Sequence, residues 1–428
     1  MLRTDPTLAH ADVFTAAVVG DDLHLAELLR HDPAAAVASG GPRVWQPLSY
    51  LCFSRFLKEE RGRARDFVRA AERLLQHGAD PNSAWINPED GVSEVALYGA
   101  AGIANSLELT RVLLDAGADV NDGETLYHAA EFSTESGHAV LRLLFARQPR
   151  REWLSYCMAH KLDYEDVPGL RLFIEAGADV NFRGDRGALA GWTPLHFGIF
   201  RRRSAAVIQT LIGAGADVHR PGREGVPPLA LARRLGHVEA ARLLEAAGAA
   251  QAMTPKEAFL AACTAGNSRR ARALLKKSPA LLQQLRPDDQ KLLTVVAAAG
   301  NLRAVRLMLD LGFDLEAKGD WGGTALHQAA WHGHVDVVAF LLKQGANTAA
   351  LNRWGGDVLH TALHAATHGE HVHGVEMILL LAQHVGPAGI TEQHRAAARD
   401  AGGLLAALEA VCIGAAAELP RPGTASSP

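Results

Sequence analysis

Cysteine is scarce in this chain: Cys52, Cys157, Cys263 and Cys412 are four among 428 residues. Neighbouring ones lie more than a hundred residues apart and none forms a CxxC pair. That excludes a disulfide framework and a thiolate zinc site. Lysine is scarce too, with eight against 35 arginines, a bias that points to a GC-rich bacterial genome. No surplus of basic charge exists: 43 Lys and Arg face 47 Asp and Glu, for a net charge of −4. A chain-wide nucleic-acid binder needs the opposite balance. No apolar run reaches the 18 residues of a membrane span; the nearest, 404–417, is interrupted by Glu409. The start, MLRTDPTLAH, has no basic segment followed by an apolar one, so no signal peptide is expected and the expected location is the cytoplasm.

Recognisable catalytic motifs are missing as well. There is no Walker loop, no Gly-x-Ser-x-Gly elbow, no HExxH and no kinase signature. What is present is an apolar fraction of 48%, enough to bury a core, over a length that allows two or three domains or one extended array.

The chain repeats itself. A Gly-Ala-Asp-like tripeptide recurs at Gly78-Ala79-Asp80, Gly117-Ala118-Asp119, Gly177-Ala178-Asp179, Gly215-Ala216-Asp217, Gly312-Phe313-Asp314 and Gly345-Ala346-Asn347, with a truncated copy at Gly248-Ala249. Successive glycines are 39, 60, 38, 33, 64 and 33 residues apart, so the base period is 33 and each long gap holds a weaker copy. An apolar helical run precedes each tripeptide, and the glycine can end it in the left-handed conformation. A polar stretch follows, then a short helix opened by Thr-Pro-Leu-His or a variant, with Thr as cap and Pro in the first turn. One such unit cannot bury its apolar faces alone, whereas stacked copies can.

This pattern resembles the ankyrin repeat. Gly191-Trp192-Thr193-Pro194-Leu195-His196 and Thr324-Ala325-Leu326-His327 match the family opening, Thr125-Leu126-Tyr127-His128 and Pro228-Leu229-Ala230 match it loosely, and Gly333-His334 matches the mid-repeat turn. The resemblance covers residues 11 to 415 in about eleven to twelve units, several degenerate. It implies an all-α solenoid of helix-turn-helix-loop units, and in it His128, His196 and His327 lock their turns by bonding to the capping Thr and to neighbouring backbone.

Phe14, Gly20, Leu28-Leu29 and Pro33 are echoed by Phe259, Gly266, Leu274-Leu275 and Pro279, with identical offsets from the glycine onward. Such a restart predicts two tandem arrays, 1–250 and 251–418 with a C-terminal cap, the alternative being one continuous solenoid. The small polar tail 419–428 is expected to be disordered. The mixed-charge stretch 57–66 is surplus to a regular unit and extends a helix or projects a loop.

With no chemistry evident, the function expected is non-catalytic binding of a partner protein, without cofactor, nucleic acid or membrane. The resemblance places partners in the concave groove and on the loop tips. Four residues after the Thr-Pro-Leu-His histidine, the groove positions are Phe132, Phe200, Arg234, Trp331 and His364. The loop tips add Trp85, Arg183, Arg186, Trp192, Arg220, Arg223, Trp321, Arg353 and Trp354. Aromatic rings and arginines are the side chains enriched at binding hot spots. The alternative is a metal site: His360, His364, His368 and His371 fall on one helical stripe in the penultimate unit, and imidazoles four apart can share a zinc or nickel ion.

Overall fold

The computed structural model describes residues 11–59, 61–87, 91–185, 189–250, 252–319, 321–368, 374–399 and 404–413. The expected tail, 419–428, lies outside them. Among the described residues the regular secondary structure is almost entirely helical. It divides into two compact units, the first reaching residue 228 and adding 242–249, the second made of 229–241 and 250 onward.

In the first unit the helices come in pairs: Val13–Val19 with Asp22–His31, Pro47–Cys52 with Ala64–Gln76, Tyr98–Ile103 with Leu107–Asp115, Thr125–Ala129 with Glu135–Phe145, Arg151–Lys161 with Val167–Glu175, and Pro194–Phe200 with Ala205–Gly213. The second unit runs Pro255–Thr264 with Ser268–Lys277, Leu292–Ala298 with Leu302–Asp310, Ala325–Trp331 with Val335–Lys343, Val358–His368 with Gly374–Val385, and Glu392–Arg399 with Leu404–Ile413. The helices Pro228–Arg234 and Val238–Ala246 fall where the division is drawn. Within each unit, first helices pack on first helices and second helices on second helices, giving two layers. Leucines such as Leu25, Leu29, Leu113, Leu211, Leu326 and Leu341 are buried between the layers. Each such side chain contributes about 1.5–3 kcal/mol, and only because a neighbouring pair covers it.

The tripeptide now has a physical account. Its glycines, including Gly117 at φ 94° and Gly345 at φ 83°, end the second helices in the left-handed region. The following Ala or Phe is buried or half-buried. The Asp or Asn carbonyl-type oxygen accepts the backbone N–H two residues on, as Asp119 does from Asn121 (2.9 Å) and Asn347 from Ala349 (3.0 Å). Such Asx turns direct the chain into the loop. Polar side chains in the loops then cross to the next repeat: Asn181 donates to Gly215 O (2.9 Å) and accepts from Asp217 N (2.8 Å).

The two restart segments are built alike. Each has a first helix, a turn glycine at φ 65°, a second helix capped by Asp21 or Asn267, and a 3-10 turn at Pro33–Ala36 or Pro279–Leu281. The surplus around residues 57–66 folds into two short helical turns, Arg55–Glu59 and Arg61–Arg63, that lead into Ala64–Gln76. A small hairpin that no sequence signal announced pairs Ala84–Ile86 antiparallel with Ser93–Val95.

Candidate functional site

The second unit carries two exposed aromatic groupings. Trp321 and Trp354 start equivalent turns, and their rings meet at 5.8 Å and 39°. Trp321 is half-buried, whereas Trp354 remains 72% exposed. The exposed Arg353 holds its guanidinium 5.5 Å over the Trp354 ring, and its backbone N–H donates to Trp321 O (3.0 Å). Further along the first-helix layer, Trp331 ends its helix half-exposed, tilted against the exposed His364 at 5.7 Å.

In the first unit, Trp192 and Phe200 meet edge to face at 4.9 Å, with Trp192 buried and Phe200 half-exposed. Arg223 lies 5.0 Å over the Trp192 ring. Three arginines clasp two adjacent loops reciprocally: Arg183 donates to Gly222 O (3.2 Å), Arg220 to Asn181 O (3.0 Å) and Arg223 to Ala190 O (2.9 Å). Arg186 lies outside the described residues. Trp85 sits on the hairpin, its ring at an edge to buried Trp45 (5.7 Å).

Two groove positions have internal duties that spacing did not reveal. Arg234 is half-buried and pairs with buried Asp289 (2.7 Å), which Lys256 also contacts. Phe132 lies past the end of the helix Thr125–Ala129. Its carbonyl accepts from Lys161 Nζ (2.9 Å), and its Cβ would sit 2.5 Å from a Cβ added at Gly137.

The turn-locking role expected of the histidines holds for two of three. Thr193 Oγ1 donates to His196 Nδ1 (2.8 Å), and His196 Nε2 donates to Val226 O (3.0 Å). Burial, reinforced by the charge of Arg183 and only partly offset by the Val226 bond, pulls His196 down to about 4. Thr324 likewise donates to His327 Nδ1 through both its N–H (3.2 Å) and its hydroxyl (3.0 Å). His128 departs from the pattern, because Asp122 takes the hydroxyl of Thr125. The imidazole lies instead between Glu131 (3.2 Å) and Glu124 (3.4 Å).

That imidazole belongs to a cluster that motif matching did not predict. Tyr127 stacks on His160 at 3.8 Å and 9°, Trp153 on Tyr156 at 5.2 Å and 10°, and Tyr98 on His128 at 4.8 Å. Glu131 stands between His128 and His160 (3.5 Å), and His160 contacts Asp163 (3.1 Å), which Arg201 also reaches (2.5 Å). Burial alone would lower His128, but the bonds to Glu124 and Glu131 outweigh it and raise it to about 9. Burial likewise opposes the charge on His160, and Asp163 and Glu131 overcome it to raise that histidine too. Burial would raise Glu131, yet its two histidines hold it down to about 2. Positive and negative groups alternate, so the cluster ties three successive first helices together. A signal for it existed: Tyr98, Tyr127 and Tyr156 recur at intervals of 29.

Beside it lies a buried ion pair, Lys161 with Asp166 at 2.6 Å, their side chains 0% and 2% exposed. Lys161 also donates to Ala130 O (2.8 Å) and Ser133 Oγ (3.0 Å), and His138 bonds Asp166 at 2.8 Å.

The histidine stripe does not assemble among the described residues. The helix Val358–His368 carries His360, His364 and His368, while His371 lies outside the described residues. His364 turns to Trp331, and His360 faces His394 at 6.5 Å between ring centres. Among the described residues no group of three or more His, Cys, Asp or Glu could hold a metal ion. His394 serves the fold: it accepts from Thr391 N (3.1 Å) and contacts Asp357 (3.0 Å), repeating the Thr-to-His lock in a Thr-Glu-Gln-His opening.

Residues 258–352 and 293–392 match a family model described as ankyrin repeats in three copies, and residues 190–223 match one for a single ankyrin repeat. No curated protein matches the chain. Among the described residues no helix is long and apolar enough to cross a membrane.

Proposed function

Because the chain is an ankyrin-repeat protein, we propose that it is a non-catalytic scaffold that recognises a partner protein through first-helix ends and loop tips. Ankyrin repeats generally mediate protein–protein interaction. The observation that carries the reading is the exposed ring surface in both units: Trp331, His364, Trp321 and Trp354 in one, Phe200 with the arginine clasp around Trp192 in the other. Exposed tryptophan is costly in water, and such rings beside arginine are the usual anchors of interfaces. The partner we propose is a protein rather than a nucleic acid, in keeping with the acidic net charge, and the setting is a bacterial cytoplasm. The two arrays, joined near residue 250, are part of the same proposal.

Affinity capture from the source organism, read by mass spectrometry, tests it. Trp331→Ala and Phe200→Ala should each weaken capture of the same protein by about 1 kcal/mol or more, roughly fivefold, with little change in melting temperature. A large melting loss with unchanged capture would show that these rings serve the fold instead.

A further inference from the structure

Within the scaffold reading, on which this rests, we propose that the loop tips of the second unit recognise an acidic peptide segment that also carries an aliphatic or aromatic side chain. The apolar half of the surface is Trp354 and Leu351, 72% and 53% exposed, with Trp321 beneath. The backbone that carries these side chains is held in place. Arg353 N donates to Trp321 O (3.0 Å), Lys318 Nζ to Leu351 O (3.1 Å), Trp354 N to Asn352 Oδ1 (3.0 Å) and Asn347 N to Glu316 Oε1 (2.8 Å). A partner therefore meets a surface whose backbone is already ordered, which lowers the entropy cost of binding.

The charged half decides which partner fits. Among the described residues neither Lys318 nor Arg353 makes an ion pair, and Arg353 holds its guanidinium over the Trp354 ring at 5.5 Å. Among the described residues, each carboxylate of the same loops already accepts a hydrogen bond: Asp314 from Glu316 N (2.9 Å), Glu316 from Asn347 N, and Asp357 from His360 N (2.8 Å) and His394. The surface thus offers apolar area and cationic donors. A guanidinium held over a ring still presents N–H groups to a carboxylate, in a charge-assisted and often bidentate bond. A basic segment would meet Arg353 and Lys318 as like charges.

Selection of a displayed random dodecapeptide library on the full-length protein tests this. The enriched peptides should be net acidic and contain at least one apolar side chain. A fluorescein-labelled enriched peptide, followed by anisotropy, should lose affinity about tenfold on Trp354→Ala and severalfold on Arg353→Gln or Lys318→Gln, and should bind more weakly at 300 than at 50 mM salt. Leu351→Ala, at a less exposed position in the same loop, provides a second apolar truncation, and Arg272→Ala, on the second helix Ser268–Lys277, should leave this affinity unchanged. Neutral or basic peptides lost on Trp354→Ala would overturn the acidic specificity and leave the scaffold reading standing. Acidic peptides indifferent to Trp354→Ala and Arg353→Gln would overturn the assigned surface. Binding of a dT20 oligonucleotide that needs the same side chains would overturn the peptide assignment. No enrichment would overturn the inference too, with the scaffold reading still judged separately by capture from the source organism.

Discussion

Replacing Lys161 with Met keeps the apolar stem and removes the ammonium paired with Asp166. Asp166 would retain His138 (2.8 Å) and the N–H of Gly169 (2.9 Å) but lose Nζ at 2.6 Å, inside a site that water does not reach. Removing one partner of a buried ion pair costs about 3–5 kcal/mol. The carbonyls of Ala130 and Phe132 lose a donor at the same time. Because Asp166 keeps its bonds to the His138 ring and the Gly169 N–H, the lower end, about 3 kcal/mol, is expected. Each repeat touches only its neighbours, so the loss should be local. Hydrogen exchange on the full chain reads it directly: amides in Glu135–Phe145 and Val167–Glu175 should exchange on the order of 100-fold faster, since 1.4 kcal/mol is tenfold. Amides in Val335–Lys343 should not change. The double variant Lys161→Met with Asp166→Asn, which removes the buried charge but keeps a capping side chain, should recover part of the loss. Acceleration below threefold, or equal acceleration in Val335–Lys343, would refute the reasoning.

Other expectations follow from the same contacts. Stability should peak near pH 6.5–7 and fall on both sides. His128, raised to about 9, contributes fully below its unfolded value near 6.5 and loses that contribution as pH rises toward 9. His196, lowered to about 4, acts in the opposite sense, so its contribution is lost as pH falls from about 6.5 toward 4. Melts of His128→Gln and His196→Gln should flatten the alkaline and the acid limb respectively; unchanged limbs would contradict the assignments. Residues 227–428 should form a soluble helical fragment with a cooperative melt, less stable when started at 251 because buried Asp289 then lacks Arg234. If both fragments are unfolded, a single solenoid replaces the two arrays.

The repeat was legible because its signals are local. A left-handed glycine, an Asx turn and a Thr cap each follow from neighbouring residues, so tripeptides and openings could be read without the fold. Trp321 and Trp354 could be paired in the same way, from their spacing. What escaped depends on contacts between repeats. The clasp of Arg183, Arg220 and Arg223 joins loops about 30 to 40 residues apart, and its acceptors are backbone carbonyls that no sequence pattern marks. Arg234 read as a groove residue because its partner Asp289 lies two helix pairs away. His128 read as a turn lock because its opening has the right letters, whereas Asp122 claims the Thr hydroxyl. Lys161 did leave a trace: no other lysine occurs between Lys58 and Lys256.

The scaffold reading is tested most directly by photo-crosslinking in the source organism, with p-benzoylphenylalanine placed at Trp331, at Phe200 and, as a control on a second helix, at the exposed Arg272. The account predicts covalent adducts to a defined partner from Trp331 and Phe200 and none from Arg272. Adducts equally abundant from Arg272, or none from either ring position, would contradict it.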